Sequence, residues 1–511
     1  MPDIVLSTLN AKYSHASFGL RCLLANMGAL LPRTVISEFD INQRPLDIAE
    51  RLLELQPRIV GFGVYIWNVA ETLEVVQVLK RLRPDVCVVL GGPEVSYEFS
   101  GQAIVEASDY VITHEADVAF GALCARLLQG ERPAEKIIVP PRPDLGSLAF
   151  PYALYTDEDV KHRVVYVEAS RGCPFRCEFC LSSLDEKVRP FPLPEFLREM
   201  QGLLDRGLKQ FKFVDRTFNL SVDTSARILQ FFLERMTPGL FVHFEMIPDR
   251  LPPALRELIV KFPPGALQFE VGVQTLNPNV EKNISRRQDH ARMADNFAFL
   301  ARETGVHIHA DLIVGLPGES VESFGEGFDA LLSMGPEEIQ VGILKRLRGT
   351  PIVRHDAEFR MVYGAAAPYE VLSTRDVTFA QLQQLRRFAR YWDLFKNRGQ
   401  FPTSLPPVLA SQPSAFASFF QFSQWLHDTT HATQGLSLLR QFELLLTYRT
   451  SVLAQPSGVV AQEIWHDYQR GGRSDLPAWL RALLPNDALT TQPARNAQAS
   501  QAPKRQAQHL A

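Results

Sequence analysis

No run of about 18 apolar residues occurs in this 511-residue chain, so a membrane-spanning helix is not expected. Charge of one sign is not in excess. There are 53 Lys and Arg against 57 Asp and Glu, a net charge of −4, and the global basic footprint of a nucleic-acid binder is missing. The opening residues, PDIVLSTLN, have neither a basic n-region nor a cleavage pattern, so no secretory leader is read there. Cysteine is scarce, with six in all. Cys22, Cys87 and Cys124 stand singly among apolar residues, which excludes a disulfide framework and predicts buried, inert, reduced thiols. These absences together predict a cytoplasmic protein.

The other three cysteines are concentrated in one place. Cys173, Cys177 and Cys180 fall within eight residues, in the stretch RGCPFRCEFCL and the spacing C-x3-C-x2-C. A strand-like run, VVYVEAS, precedes them, so the thiols are expected at the C-terminal end of a strand.

Two alternations of strand and helix flank this loop. In the first 130 residues, strands are predicted at 3–9, 34–39, 58–65, 86–92 and 109–114, with amphipathic helices between them. Short apolar strands separated by helices predict a parallel sheet covered on both faces, here a doubly wound (Rossmann-like) domain over 1–130. Such sheets bind ligands beyond the C-terminal strand ends. The loops there carry Asn10, Tyr13, Ser14 and His15 after the first strand, and Tyr65 and Trp67 after the third. Gly91, Gly92, Pro93 and Glu94 follow the fourth. The glycines permit close backbone approach and the aromatics offer flat apolar surface. Residues 131–161 are crowded with proline and read as a linker.

The second alternation predicts six strands, at 164–169, 210–214, 241–246, 268–273, 306–315 and 338–344. Six is short of the eight of a full barrel, so 162–365 is expected to form a partial (βα)6 TIM-type barrel with its functional face at the C-terminal strand ends. Asp215, Thr217, Asn219, Glu245, Glu270, Gln274 and Asp311 fall at or near such ends. There, carboxylates and amides can bond a ribose, an ammonium group or a substrate. Residues 366–485 read as an all-helical domain whose aromatics, including Trp392, Phe419, Phe420 and Trp425, are core. Its basic run, Arg386, Arg387, Arg390, Lys396 and Arg398, reads as a solvated helix face. Residues 486–511 are too polar to bury a core and are expected to be disordered.

Three thiolates in one tight loop, with no fourth cysteine nearby, leave a metal coordination position open. Structural zinc commonly takes two separated ligand pairs, and the second pair is missing. An iron–sulfur cluster with one iron lacking a protein thiolate meets the pattern.

C-x3-C-x2-C after the first barrel strand, with Phe179 before the last cysteine, resembles the radical S-adenosylmethionine enzymes. The resemblance implies a [4Fe-4S] cluster on Cys173, Cys177 and Cys180, whose open iron binds S-adenosylmethionine. One-electron cleavage then gives methionine and a 5′-deoxyadenosyl radical. It also implies contacts to S-adenosylmethionine from Phe179, Asp215, Glu245, Gln274, Gly315 and Pro317, the last two in LIVGLPGES. The preceding doubly wound domain, with GGPE after its fourth strand, resembles the cobalamin-binding subclass. LNAKYSHASFGL, YIWN, DRTFN, GVQT and LKRLRGTPI point to a branch with a helical C-terminal domain. Cobalamin is then implied at Asn10, Tyr13, Ser14, His15, Tyr65, Trp67 and Gly91 to Glu94. Two departures stand out: D-x-H-x-x-G is absent, and His114-Glu115-Ala116-Asp117 replaces the G-E-G-E common near the fifth strand. The subclass implies methyl transfer to an unactivated carbon of a small molecule or peptide, with an electron donor such as flavodoxin or ferredoxin. Radical rearrangement or cyclisation, and a non-catalytic cobalamin or cluster sensor, are the alternatives. Neither a membrane nor a nucleic acid is expected as partner.

Overall fold

The structure, a computed structural model, describes residues 1–473, 475–484, 506 and 509. The chain divides into two compact units. The first is Met1–Arg216 with Lys345–Arg354 and Tyr363–Glu370; the second is Thr217–Leu344 with His355–Val362 and the rest of the chain from Val371.

In the first unit, β1 (Ile4–Asn10), β2 (Thr34–Asp40), β3 (Ile59–Gly63), β4 (Cys87–Gly91), β5 (Tyr110–Ile112) and β6 (Ile137–Ile138) form one sheet in the order β2-β1-β3-β4-β5-β6. The pairings are parallel throughout. The helices α1 (Phe18–Ala25), α2 (Pro45–Glu54), α3 (Val69–Leu82), α4 (Ala103–Ala107) and α5 (Ala119–Leu128) connect them. Alternate residues of the central strands enter two cores. Val5, Val60 and Val88 pack with Ile48, Leu52, Val75 and Leu79 of α2 and α3. Ile4, Leu6 and Val89 pack with Leu20, Phe120, Leu123 and Cys124 of α1 and α5. Both faces are apolar because both are covered, as a parallel sheet requires. Five strands were expected and six form. The extra strand is Ile137–Ile138, inside the proline-rich stretch read as linker; two adjacent isoleucines suffice to add an edge strand, with Val111 N donating to Lys136 O at 2.9 Å and Thr113 N to Ile138 O at 3.0 Å.

The same unit continues into β7 (Val165–Val167) and the short antiparallel pair β8 (Ser170–Arg171) and β9 (Arg189–Pro190), which brackets the three cysteines. It also holds β10 (Gln210–Phe213), parallel to β7. The second unit holds β11 (Phe241–Met246), β12 (Leu267–Gln274), β13 (His307–Val314) and β14 (Glu338–Ile343), and within this set successive strands pair in parallel. All six strands predicted for the second alternation therefore form, within two residues or so of the expected limits. The fold class is α/β, with a doubly wound N-terminal sheet, barrel-type βα units and a helical C-terminal region.

The helical region follows in the second unit. Helix Phe379–Trp392 opens on a Thr378/Gln381 capping box. Phe388 packs with Phe328, Trp392, Phe416 and Phe419 at ring-centroid distances of 5.1, 6.0, 5.0 and 5.3 Å, so these aromatics are core as read. Lys396 departs from the solvated face predicted for its run. Its Nζ donates to Glu337 O at 3.4 Å, and burial holds its pKa below the usual lysine range. The disordered tail expected from Asn486 lies outside the described residues except at Gln506 and His509. Both are in helical conformation there, and Gln506 is buried. Among the described residues no helix is long and apolar enough to cross a membrane.

Candidate functional site

The cysteine loop is shaped by its backbone. Gly172 has φ +97°, and a Cβ there would lie 2.2 Å from Lys187 O, so only glycine serves directly before Cys173. Cys173 N donates to Asp185 O at 2.9 Å and Cys180 N to Cys177 O at 3.0 Å. Cys173 and Cys177 are buried and Cys180 is half-buried. Burial, with the neighbouring thiols adding to it, pushes the Cys173 thiol up to about 11. Cys22, Cys87 and Cys124 are free and buried, and burial raises all three. They are the inert thiols expected.

Asp215, after β10, braces the loop from behind. Its carboxylate accepts from Ala169 N at 2.9 Å and Ser170 Oγ at 2.7 Å. Burial pushes its carboxyl up to about 6, against those two hydrogen bonds. Its oxygens are thus engaged within the strand that delivers the cysteines. Phe179 is half-buried. Glu178 is buried, and its carboxylate meets Arg354 while its carbonyl accepts from Ile352 N at 3.0 Å.

Arg171 organises the residues ahead of the cysteines. Its guanidinium bonds Glu168 Oε2, Glu115 Oε2 and Asp117 Oδ2, each at 2.9 Å. Arg189 adds a second cation on Glu115. Burial pushes Glu168 up to about 7, with Arg171 opposing it. The fifth-strand loop that departs from G-E-G-E therefore supplies two of the three carboxylates that hold the guanidinium. Sequence reasoning did not assign Glu115, Asp117 or Glu168 to the site. The signal was there: two acidic residues placed where the resembling subclass has glycine-spaced glutamates.

A cavity of about 740 Å³ opens at the C-terminal ends of β1, β3 and β4. It brings together seven predicted residues: Asn10, His15, Tyr65, Trp67, Gly91, Gly92 and Pro93. Its wall also includes Tyr166, Glu168 and Arg171 from the β7 strand and cysteine loop, and Glu115 and Asp117. Tyr65 and Trp67 stack at 4.4 Å with planes 7° apart. His15 Nδ1 lies 2.5 Å from Tyr166 Oη, and burial holds the imidazole below its usual range. Gly92 has φ +106°, and a Cβ there would lie 2.5 Å from Val64 O.

Three predicted residues lie outside this lining. Tyr13 is exposed, with the Arg163 guanidinium 5.4 Å from its ring centroid. Ser14 contributes its carbonyl to Val164 N at 2.7 Å. Glu94 is buried and accepts from Arg348 Nε at 2.8 Å and Tyr369 Oη at 2.7 Å. The LKRLRGTPI stretch claims Glu94, and no sequence rule pairs residues 254 positions apart.

In the second unit, Glu245 on β11 is half-buried and registers with Glu270 on β12. Gln274 ends β12 at φ 72°, where the register with β13 shifts. Gly315 has φ +86° and sits against Val371, and Pro317 O accepts from Asn283 Nδ2 at 2.9 Å. Glu319, in the same turn, was not singled out. It is buried, accepts from Thr275 Oγ1 at 2.5 Å, and burial pushes its carboxyl up to about 8.

A three-thiol loop on a βα-type strand, following a doubly wound domain with a ligand-sized cavity, defines a class: a barrel domain suited to a metal cluster, with an N-terminal ligand-binding domain. Family models give the class its identity. Residues 5–124 match the B12 binding domain, 167–331 the Radical SAM superfamily, and 357–507 a protein family of unknown function, DUF4080. The chain thus carries, in order, a B12 binding domain, a Radical SAM domain and a DUF4080 region.

An uncharacterized methyltransferase of Pyrococcus horikoshii is 25% identical over 54% of this chain and 64% of its own. The 2-(S-pantetheinyl)-carbapenam-3-carboxylate methyltransferase of Streptantibioticus cattleyicolor is 23% identical over 61% of this chain and 51% of its own. The ribosomal protein uS12 methylthiotransferase RimO of Citrifermentans bemidjiense is 25% identical over 39% and 48%. The chain thus spans less than two thirds of the length of these relatives. Among solved structures, the radical S-adenosylmethionine methyltransferase TsrM of Kitasatospora setae, with cobalamin and a [4Fe-4S] cluster bound, has a TM-score of 0.55. It is 19% identical over 70% of this chain and 78% of its own, a likeness of fold.

Proposed function

We propose that this chain is a cobalamin-dependent methyltransferase of the radical S-adenosylmethionine class, acting on an unactivated carbon of a small molecule or peptide. One observation carries the reading. A single cavity is lined by the strand-end loops of the B12 binding domain and by Tyr166, Glu168 and Arg171, which lead into the three thiols. The residues fit both groups. Three clustered thiols, none in a disulfide and with glycine before the first, suit a cluster with one open iron. Gly91 and Gly92, with no side chains in the way, and the flat Tyr65–Trp67 stack suit a large planar cofactor.

Cys173, Cys177 and Cys180 would hold the [4Fe-4S] cluster. When bound, these groups supply reductive cleavage of a sulfonium and carriage of a methyl group. The protein's own part is positioning. Asp215 fixes the strand-to-loop junction through Ala169 N and Ser170 Oγ. Arg171 and its carboxylates tie the cysteine loop to the fifth-strand loop, which joins the cavity wall to the residues just ahead of the thiols. Phe179, Glu245, Gln274, Gly315 and Pro317 are the proposed contacts to S-adenosylmethionine. Asn10, His15, Tyr65, Trp67 and Gly91 to Pro93 are those to cobalamin. An electron donor of the flavodoxin or ferredoxin kind would supply the reducing equivalents, in the cytoplasm.

The test is equilibrium dialysis of cobalamin against the full chain, followed by anaerobic, reduced incubation with S-adenosylmethionine and a candidate substrate. Cobalamin retention and formation of S-adenosylhomocysteine with the methylated product are expected. Full chain that retains no cobalamin, while cleaving S-adenosylmethionine normally, would remove the methyl-transfer half of the proposal.

A further inference from the structure

A second group of metal-ligating side chains lies in the second unit, at the N-terminal ends of two strands. His307 opens β13 and Glu338 opens β14. Gly315 and Glu319 follow the opposite end of β13, so this group is at the far end of the strand from the LPGES turn. His307 Nε2 lies 2.9 Å from Glu338 Oε1. That pair alone would be an ordinary buried ion pair. A third ligating residue comes from far along the chain: His509 Nε2 stands 3.9 Å from the same carboxylate oxygen, and the two imidazole centroids are 5.0 Å apart. One ligand atom from each of the three lies within 4.8 Å of the other two. The side chains of His307, Glu338 and His509 are 5%, 1% and 10% exposed. Water therefore competes little for them.

We propose that His307, Glu338 and His509 form a zinc site that fastens His509 to β13 and β14. Two imidazoles and one carboxylate are a zinc ligand set, and three protein ligands leave a fourth position for water or another oxygen. With zinc–nitrogen and zinc–oxygen bonds of about 2.0–2.1 Å, tetrahedral ligands stand roughly 3.3 Å apart. The His307–Glu338 and His509–Glu338 separations, 2.9 and 3.9 Å, bracket that value. Small side-chain rotations reach it. His509 Nε2 now donates to Asn397 O at 2.8 Å, and a ligand bond made through that nitrogen would replace this hydrogen bond.

The site accounts for the seating of two polar residues on the strands. Gln506 Nε2 donates to Gln268 Oε1 at 2.5 Å at the start of β12, but one amide pair is weak. A metal bond through His509 is not. The inference is independent of cobalamin, cluster and methyl transfer, and its readout is zinc content.

The experiment uses the full chain with its cluster reconstituted, so that the thiol loop is occupied, and the Cys173→Ala/Cys177→Ala/Cys180→Ala variant, which has no thiol loop to hold zinc. Both are equilibrated with zinc chloride against a chromophoric chelator, and zinc and iron are measured by mass spectrometry. One zinc per chain is expected in both, with iron unchanged by zinc in the first. His509→Ala and His307→Ala are each expected to weaken zinc binding at least tenfold without changing iron content. Should His307→Ala fail to fold, His509→Ala and a chain ending at residue 505 carry the test. The proposal is overturned if the triple-cysteine variant binds no zinc, or if His509→Ala and the shortened chain bind it as tightly as the parent.

Discussion

Around Arg171, three carboxylates share one guanidinium, and Arg189 supplies a second cation to Glu115. Around Glu319, a single carboxylate has the Thr275 hydroxyl and, among the described residues, no cation within salt-bridge distance. Both sites are buried next to predicted functional turns. The first holds its buried carboxylates by gathering them around one guanidinium, which opposes the burial that pushes Glu168 up to about 7. The second keeps its burial by holding a proton, so it titrates. The cysteine loop is thus pinned electrostatically, whereas the LPGES turn is pinned by neutral hydrogen bonds from Asn283 and Thr275 around a buried carboxyl whose ionisation costs stability.

The largest expected effect comes from breaking the paired site. Arg171→Leu leaves Glu115, Asp117 and Glu168 buried around an apolar side chain. It should cost about 3–5 kcal/mol in chemical denaturation, with loss of cluster uptake. Arg171→Lys should recover part of the stability, because a point charge remains but the planar fork does not.

The next effect is the pH dependence that the Glu319 site adds. Glu319 has a folded pKa of about 8 against an ordinary value of 4.5. Its folded form binds the proton more tightly than its unfolded form. Its contribution to stability is therefore complete below about pH 4.5 and is lost as pH rises through about 8, by roughly 2–4 kcal/mol. Glu319→Gln should flatten that part of the stability–pH curve and raise the melting temperature at pH 8 relative to the parent. A curve of unchanged slope in Glu319→Gln would mean that the carboxylate is ionised and paired after all.

Smaller effects follow from single hydrogen bonds. Asp215→Ala orphans Ala169 N and the Ser170 hydroxyl and should cost about 1–3 kcal/mol, while Asp215→Asn, which keeps one acceptor, should cost less. Slower cluster reconstitution in Asp215→Ala, read by iron incorporation, would mark it as a positioning residue for the loop. Thr275→Val removes the Glu319 partner and should cost about 1 kcal/mol, with the pH-dependent step moving further up.

These sites differ in how far the sequence disclosed them. The strands were legible, because runs such as IVLSTLN and FVHFEM are apolar, β-branched and bounded by turn residues. The cysteine loop was legible because its spacing is local. What was not legible depends on pairing across long sequence separation. Nothing near Glu94 announces Arg348 and Tyr369, yet those groups take up its carboxylate and remove it from the cavity wall. Nothing near Arg171 announces Asp117, 54 positions earlier. Asp215 was placed correctly at a strand end, but its partners are the strand next to it. Ile137–Ile138 was read as linker because two residues are too short a run to outweigh the prolines around them. The tail was read from composition, which does not register that Gln506 and His509 meet partners on β12, β13 and β14.

The most direct measurement is 5′-deoxyadenosine formed from S-adenosylmethionine by the anaerobically reconstituted, reduced full chain, for the parent and for Cys177→Ala. The account predicts 5′-deoxyadenosine from the parent and none from Cys177→Ala, which also loses its iron and brown absorbance. A Cys177→Ala chain with the parent's iron content and turnover would contradict it.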